Sequence, residues 1–184
     1  IIGHEFMGEV VEVGKGVTDL RKGDKVLTIS IIGCGNCEPC QRSDFSCCDN
    51  SNPNPSATDL MYGQPCCGSI GYSQAFGGYP GSRATYVRVP FADVNRFRVP
   101  EGVSDEQALF VSDAAPTGYF AADNADIQPG DTVAVWGCGG VGQMAICSAY
   151  LLGAERVIAI DRYPDRLRLA EERGKAIPIN YEKT

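Results

Sequence analysis

The 184-residue chain carries a formal net charge of −7 and is 43% hydrophobic, ordinary for a globular protein. Its Lys and Arg residues form no cluster, so nucleic acid and anionic membrane surfaces are not expected partners. No run approaches the roughly 18 apolar residues that span a bilayer, and Ile1-Ile2-Gly3-His4-Glu5 lacks the basic start and apolar core of a signal peptide, so the expected location is cytoplasmic.

In chain order, the residues up to about 100 read as short strands punctuated by Gly, Asn and Pro. Glu9-Val10-Val11-Glu12-Val13 predicts a strand that ends at the turn Gly14-Lys15-Gly16. Lys25-Val26-Leu27-Thr28-Ile29 predicts a second strand after Gly23-Asp24. Residues 49–82 are rich in Asn, Pro, Gly and Ser and predict a long loop, which in compact enzymes is often functional. Tyr86-Val87-Arg88-Val89 alternates and stops at Pro90, predicting a further strand.

Nine cysteines are many for a reducing compartment, and their odd number argues against complete disulfide pairing. Cys34, Cys37 and Cys40 recur at every third position, with Cys47 and Cys48 following. Four thiolates at such spacing form a closed tetrahedral site of the kind zinc occupies structurally. Gly35 permits the tight turn between the first pair, and the polar, loop-like segment around it has too little apolar content to hold itself together, so the metal would supply the missing folding energy. On these residues alone, Cys47 and Cys48 compete for the fourth place. Cys66 and Cys67 read as unligated, Cys138 as the free position of a glycine turn and Cys147 as a core residue.

From about Ala108 the texture changes to alternating strand and helix. Thr132-Val133-Ala134-Val135-Trp136 predicts a buried parallel strand. Residues 141–152 predict an apolar helix closed by Gly153. Val157-Ile158-Ala159-Ile160 predicts a second buried strand, residues 165–173 a helix stopped by Gly174, and Ala176-Ile177-Pro178-Ile179 the start of a third strand. Between the first strand and its helix lies Gly137-Cys138-Gly139-Gly140-Val141-Gly142, which fits G-x-G-x-x-G, and Asp161 closes the next strand at close to the expected separation of about 20 residues. In a dinucleotide site Gly137 permits the turn, Gly139 lets the backbone approach the pyrophosphate, and Gly142 lets helix and strand pack closely. The helix start, at Gly140 and Val141, would offer N–H groups to the phosphates. Asp161 would accept from the adenosine ribose and repel a 2′-phosphate, favouring NAD, a preference that Arg162 softens.

His4 is the only histidine, and it stands in Gly3-His4-Glu5-Phe6-Met7-Gly8-Glu9-Val10. That run, with Val13-Gly14 and Gly23-Asp24-Lys25-Val26, resembles the zinc alcohol dehydrogenase signature of the medium-chain dehydrogenase/reductase family. The cysteine lobe and the glycine turn are similar to the same family in order and spacing, so the resemblance covers nearly the whole chain. Within it, Ser112-Asp113-Ala114-Ala115-Pro116-Thr117-Gly118-Tyr119, the 49–82 insertion and Tyr86-Val87-Arg88-Val89-Pro90-Phe91-Ala92-Asp93 are similar to the glutathione-independent formaldehyde dehydrogenase and formaldehyde dismutase branch.

The resemblance implies a partial GroES-like β-barrel catalytic domain over 1–112 with a zinc lobe at 34–48, then the first half of a Rossmann NAD-binding domain over 113–184. It implies His4 and Asp113 as catalytic zinc ligands, with Glu5 as a neighbouring or alternate ligand. It also implies Cys34, Cys37, Cys40 and Cys48 as the structural zinc set, Thr117 near the nicotinamide and Arg166 near the adenosine ribose. Asp113 also suits a helix N-cap. The implied full-length protein holds two Zn2+ and NAD, acts on a small alcohol or aldehyde, and forms a homodimer or homotetramer. Alternatives are a catalytically inactive zinc- and nucleotide-binding relative and a polyol- or threonine-type dehydrogenase. The family's first catalytic ligand is a Cys about 20 residues before the His. The chain is therefore expected to be truncated at both ends and inactive alone.

Overall fold

The computed structural model describes residues 2–183. They form two compact units, one ending at Asp113 and the other beginning at Ala114.

The first unit is built on a three-stranded antiparallel sheet of β1 (Phe6–Glu9), β2 (Lys25–Thr28) and β5 (Arg96–Arg98), with β2 in the middle. Phe6 lies opposite Thr28, and Thr28 opposite Arg96. The first strand was expected at 9–13, but it ends at Glu9 because its partner turns away. One more bonded pair forms at Val10, which donates to Asp24 O at 2.9 Å and accepts from Gly23 N at 2.8 Å. Gly23 then bends at φ +92°, leaving Val11 and Val13 exposed. The expected strand at 86–89 also does not form. Alternation supplies a face only when a neighbouring strand supplies hydrogen bonds, and Tyr86 is 74% exposed.

A second hairpin, β3 (Ile31–Ile32) with β4 (Gly68–Ser69), brackets the cysteine lobe and its short helix α1 (Glu38–Gln41). The 49–82 segment is more structured than a plain loop. Pro55 opens α2 (Pro55–Tyr62), where its fixed φ suits a first helical turn, and Gly63 closes it in the left-handed conformation at φ +74°. Asn95 is fully buried and ties the lobe down. Its Oδ1 accepts from Gly33 N at 2.8 Å, while its Nδ2 donates to Gly33 O at 2.8 Å and Pro90 O at 3.0 Å. Helix α3 (Asp105–Phe110) begins in a capping box formed by Ser104 and Gln107.

The second unit contains α4 (Ala114–Asp123), β6 (Thr132–Trp136), α5 (Gly140–Leu151), β7 (Arg156–Asp161), α6 (Pro164–Glu172) and β8 (Ile177–Asn180). The three strands form a parallel sheet in the order β6-β7-β8. Ile146, Ala149, Val157, Ala159 and Ala170 make its fully buried core. Gly118 lets α4 meet α5, since a Cβ there would lie 2.6 Å from Ala145 N. Two expectations need correction. Strand β6 is parallel but not buried, because only Val133 and Val135 face the core, while Trp136 is 73% exposed and stacks on Tyr181. Cys147 is exposed rather than core, lying off the face of α5 that buries Ile146 and Ala149. After α6 the left-handed residue is Lys175 at φ +58°. Gly174 answers crowding instead, since a Cβ would lie 2.7 Å from Ala170 O.

Candidate zinc centres and nucleotide turn

Cys34, Cys37, Cys40 and Cys48 bring their sulfur atoms within 4.8 Å of one another. The Cys34–Cys40 and Cys37–Cys48 separations are 4.0 and 3.9 Å. A tetrahedron with Zn–S bonds of about 2.3 Å has edges of about 3.8 Å, whereas a disulfide would need about 2.05 Å. The cluster therefore fits a structural zinc. Burial opposes the Cys34 thiolate, but Asn36 N, Asn50 Nδ2 and Cys37 N donate to its sulfur and bring it down to about 6. For Cys48, donation from the Ser51 hydroxyl, Asn50 N and Cys34 N likewise outweighs burial and lowers the thiol. Burial dominates at Cys40, pushed up to about 12, as desolvation does for a lone buried thiol. Gly35 takes φ +79° with Val94 against it, so the turn accepts no side chain. Cys47 is exposed and outside the cluster. Cys67 is buried against it, and burial raises its thiol to about 11.

A second cluster joins His4, Glu5 and Asp113. His4 Nε2 stands 3.2 Å from Asp113 Oδ2 and 4.0 Å from Glu5 Oε1. Ligands on a zinc with N and O bonds of about 2.0–2.1 Å sit about 3.3 Å apart, so the His4–Asp113 pair has the spacing of two ligands and Glu5 stands further back. Asp113 directly precedes α4, whereas His4 comes from the segment leading into β1. One imidazole and two carboxylates form a donor set that zinc accepts.

The glycine turn behaves as its spacing requires. Gly137 is left-handed at φ +93° and donates to Ile160 O at 2.8 Å. A Cβ on Gly142 would collide with Gly137 O. Gly139 caps α5 and Gly140 begins it; open space surrounds Gly140, and a Cβ on Gly139 would meet only Arg166 Nη1 at 4.0 Å, while Val141 is also partly exposed. Asp161 is only 5% exposed, and its carboxylate turns toward backbone. Oδ2 accepts from Cys138 N at 2.8 Å, and Oδ1 from Arg162 N at 2.6 Å and Tyr163 N at 3.0 Å. These bonds, with Arg166 Nη1 3.7 Å away, outweigh burial and hold its pKa below the usual carboxylate value. Arg162 and Arg166 both lie over the Tyr163 ring, at 4.8 and 4.6 Å. Thr117 is exposed on α4.

Because the folded-state pKa of Asp161 is depressed, its stabilisation is complete above the unfolded value near 3.9 and is lost as pH falls through the folded one. Asp161→Asn is expected to lower unfolding free energy at pH 7 by about 2 kcal/mol, the scale of hydrogen bonds to a charged acceptor. Urea titrations should show the gap from wild type closing below pH 4.

The model for the alcohol dehydrogenase GroES-like domain matches residues 1–101, more than half the chain. The chain belongs to the zinc-type alcohol dehydrogenase family. It is 44% identical over 184 residues to an uncharacterised zinc-type alcohol dehydrogenase-like protein, AdhB, of Bacillus subtilis, covering 99% of this chain and 46% of that one. It is 39% identical over 180 residues to the glutathione-independent formaldehyde dehydrogenase of Pseudomonas aeruginosa, covering 95% and 42%. Alcohol dehydrogenase TADH from Thermus sp. ATN1 superimposes with a TM-score of 0.85 at 40% identity, covering 100% and 48%. The chain thus spans about half the length of the relatives it matches.

Two further residues that the sequence did not mark stand beside these candidate sites. Gln143 Nε2 donates to Cys138 O and Arg166 O, both at 2.9 Å, and locks the turn to α6. Tyr72 packs on His4 with ring centroids 5.0 Å apart. Its phenol is pushed upward by burial, then by the Asp113 and Glu5 carboxylates. Neither residue belongs to a spacing pattern, so tertiary contact alone reveals them.

Proposed function

We propose that the full-length protein carrying this chain is a zinc-dependent oxidoreductase that transfers a hydride between a small alcohol or aldehyde hydrate, formaldehyde among them, and NAD. The observation that carries this reading is the 3.2 Å approach of His4 Nε2 to Asp113 Oδ2, with Glu5 beside them. Residues more than a hundred positions apart converge at ligand spacing. Zinc, when bound there, supplies Lewis acidity at the substrate oxygen. His4 provides a neutral imidazole donor and Asp113 a hard carboxylate donor in place of a thiolate. The open start of α5 offers N–H groups to a pyrophosphate. The conformation of Asp161 leaves Oδ2 with spare acceptor capacity for a ribose hydroxyl once Arg166 moves aside. A formaldehyde-type substrate is supported by the similarity to the formaldehyde dehydrogenase of Pseudomonas aeruginosa.

Metal analysis tests the reading. Two zinc ions per full-length chain are expected, and Asp113→Ala should reduce that to one. Turnover should fall at least about a thousandfold, the scale of several kcal/mol of lost charge stabilisation. Normal zinc content and turnover in Asp113→Ala would overturn the assignment.

A further inference from the structure

The 49–82 insertion does more than cross the surface: it delivers an aromatic ring to the His4–Asp113 centre. Tyr72 faces His4 at 5.0 Å with its ring tilted by 42°. Behind it stands Phe76 at 5.8 Å, and behind Phe76 stands Tyr62 at 6.1 Å. These separations are those of favourable aromatic pairs. The row is held from several sides. Asn52 Nδ2 donates to Ala75 O and Asn54 Nδ2 to Gln74 O, each at 2.9 Å, fixing the turn that carries Phe76.

The backbone next to Tyr72 is equally constrained. Gly71 is left-handed at φ +76°, donates to Tyr79 O at 3.0 Å, and would drive a Cβ into Gly3 O. A Cβ on Gly81 would lie 2.5 Å from the same oxygen. Ser82 N donates to Gly3 O at 2.9 Å and Arg83 N to Ile2 O at 3.1 Å. The insertion is thus joined to the residues immediately before His4 at a distance that only glycine allows. Tyr72 itself remains 48% exposed. Packed against His4 and Phe76 yet half-exposed, Tyr72 suits a wall rather than a core position.

We propose that Tyr72 is a specificity-determining residue: its ring walls the His4 side of the His4–Asp113 centre and sets the bulk of the ligand that can reach a metal bound there. The proposal rests on the reading of His4 and Asp113 as metal ligands. An aromatic wall admits short, narrow alcohols and aldehydes and turns away branched or aryl ones.

The test uses cobalt(II)-substituted full-length protein without nucleotide, titrated with imidazole and with phenylimidazole while the cobalt absorption is followed. The closed four-cysteine site has no open position, so ligand-induced changes report the other centre. Wild type should bind imidazole at least about tenfold more tightly than phenylimidazole, the scale at which pocket walls discriminate. Tyr72→Ala should bring the two affinities within about threefold, with imidazole affinity little changed, and Tyr72→Phe should keep the wild-type ratio. Tyr72→Trp should widen it, which keeps the proposal testable if Tyr72→Ala folds poorly. An unchanged ratio in Tyr72→Ala and Tyr72→Trp, with normal cobalt spectra, overturns the wall role and leaves the metal reading standing. The absence of any ligand response in wild type overturns both.

Discussion

Replacing Cys48 with alanine is expected to remove the structural zinc and unravel the lobe around it, whereas Cys47→Ala should leave both intact. Sequence spacing alone offers two adjacent cysteines for one position. In the fold Cys48 is buried within 4.8 Å of the other three sulfurs, and Cys47 points to solvent. Beyond the Asn95 tie at Gly33, the lobe has little else to hold it. Its buried side chains are Cys34, Cys40, Cys48 and Cys67 themselves, with Phe45 and Ile31 packed alongside. Zinc binding in such a lobe is folding energy, on the order of 10 kcal/mol in small zinc domains. Loss of one thiolate should weaken zinc binding by more than about a hundredfold, beyond the 10–100-fold cost of losing a mere outer partner. A chelator competition with a colorimetric zinc dye reads the affinity, and amide exchange at residues 34–48 reads the local order. Zinc loss in Cys47→Ala and not in Cys48→Ala would reverse the assignment.

Gly142→Val is expected to cost the second unit about 3–5 kcal/mol, in the range of severe overpacking and backbone collision. The added carbon would meet the carbonyl oxygen of Gly137, which is backbone and cannot rotate aside. Relief requires moving α5 off β6, and that movement also disperses the N–H groups at the helix start. Nucleotide affinity should therefore fall together with the melting temperature. Gly140→Ala is the control, because a Cβ there meets open space. Its stability should stay within about 1 kcal/mol of wild type. Thermal melts combined with NADH fluorescence titration of the full-length protein separate the two effects. A Gly142→Val protein with wild-type melting and binding would show that close packing at this turn is dispensable.

The legible parts of the chain share a property: their signal is local. The parallel βαβ order of β6, α5 and β7 follows from two short apolar runs around one helix-length segment. The turn between them is legible because Gly137 and Gly142 answer steric demands a few residues apart. The three-residue repeat of Cys34, Cys37 and Cys40 is legible for the same reason. Local patterning misled where a partner was needed. Residues 86–89 alternate like a strand yet find no neighbour, and the strand expected at 9–13 stops when β2 turns away at Gly23. Cys147 sits in an apolar stretch, but the helix turns it outward.

The amino-acid order by itself determined the family, the four-cysteine lobe and the glycine turn, because each needs particular residue types at short separations. Tertiary structure alone decided the remainder. It selected Cys48 over Cys47 by pointing one sulfur inward, turned the Asp161 carboxylate onto backbone N–H groups, and set Tyr72 against His4 through an insertion without a recognisable pattern. Those outcomes depend on which surfaces meet across long stretches of chain, and close packing, rather than spacing, chooses them.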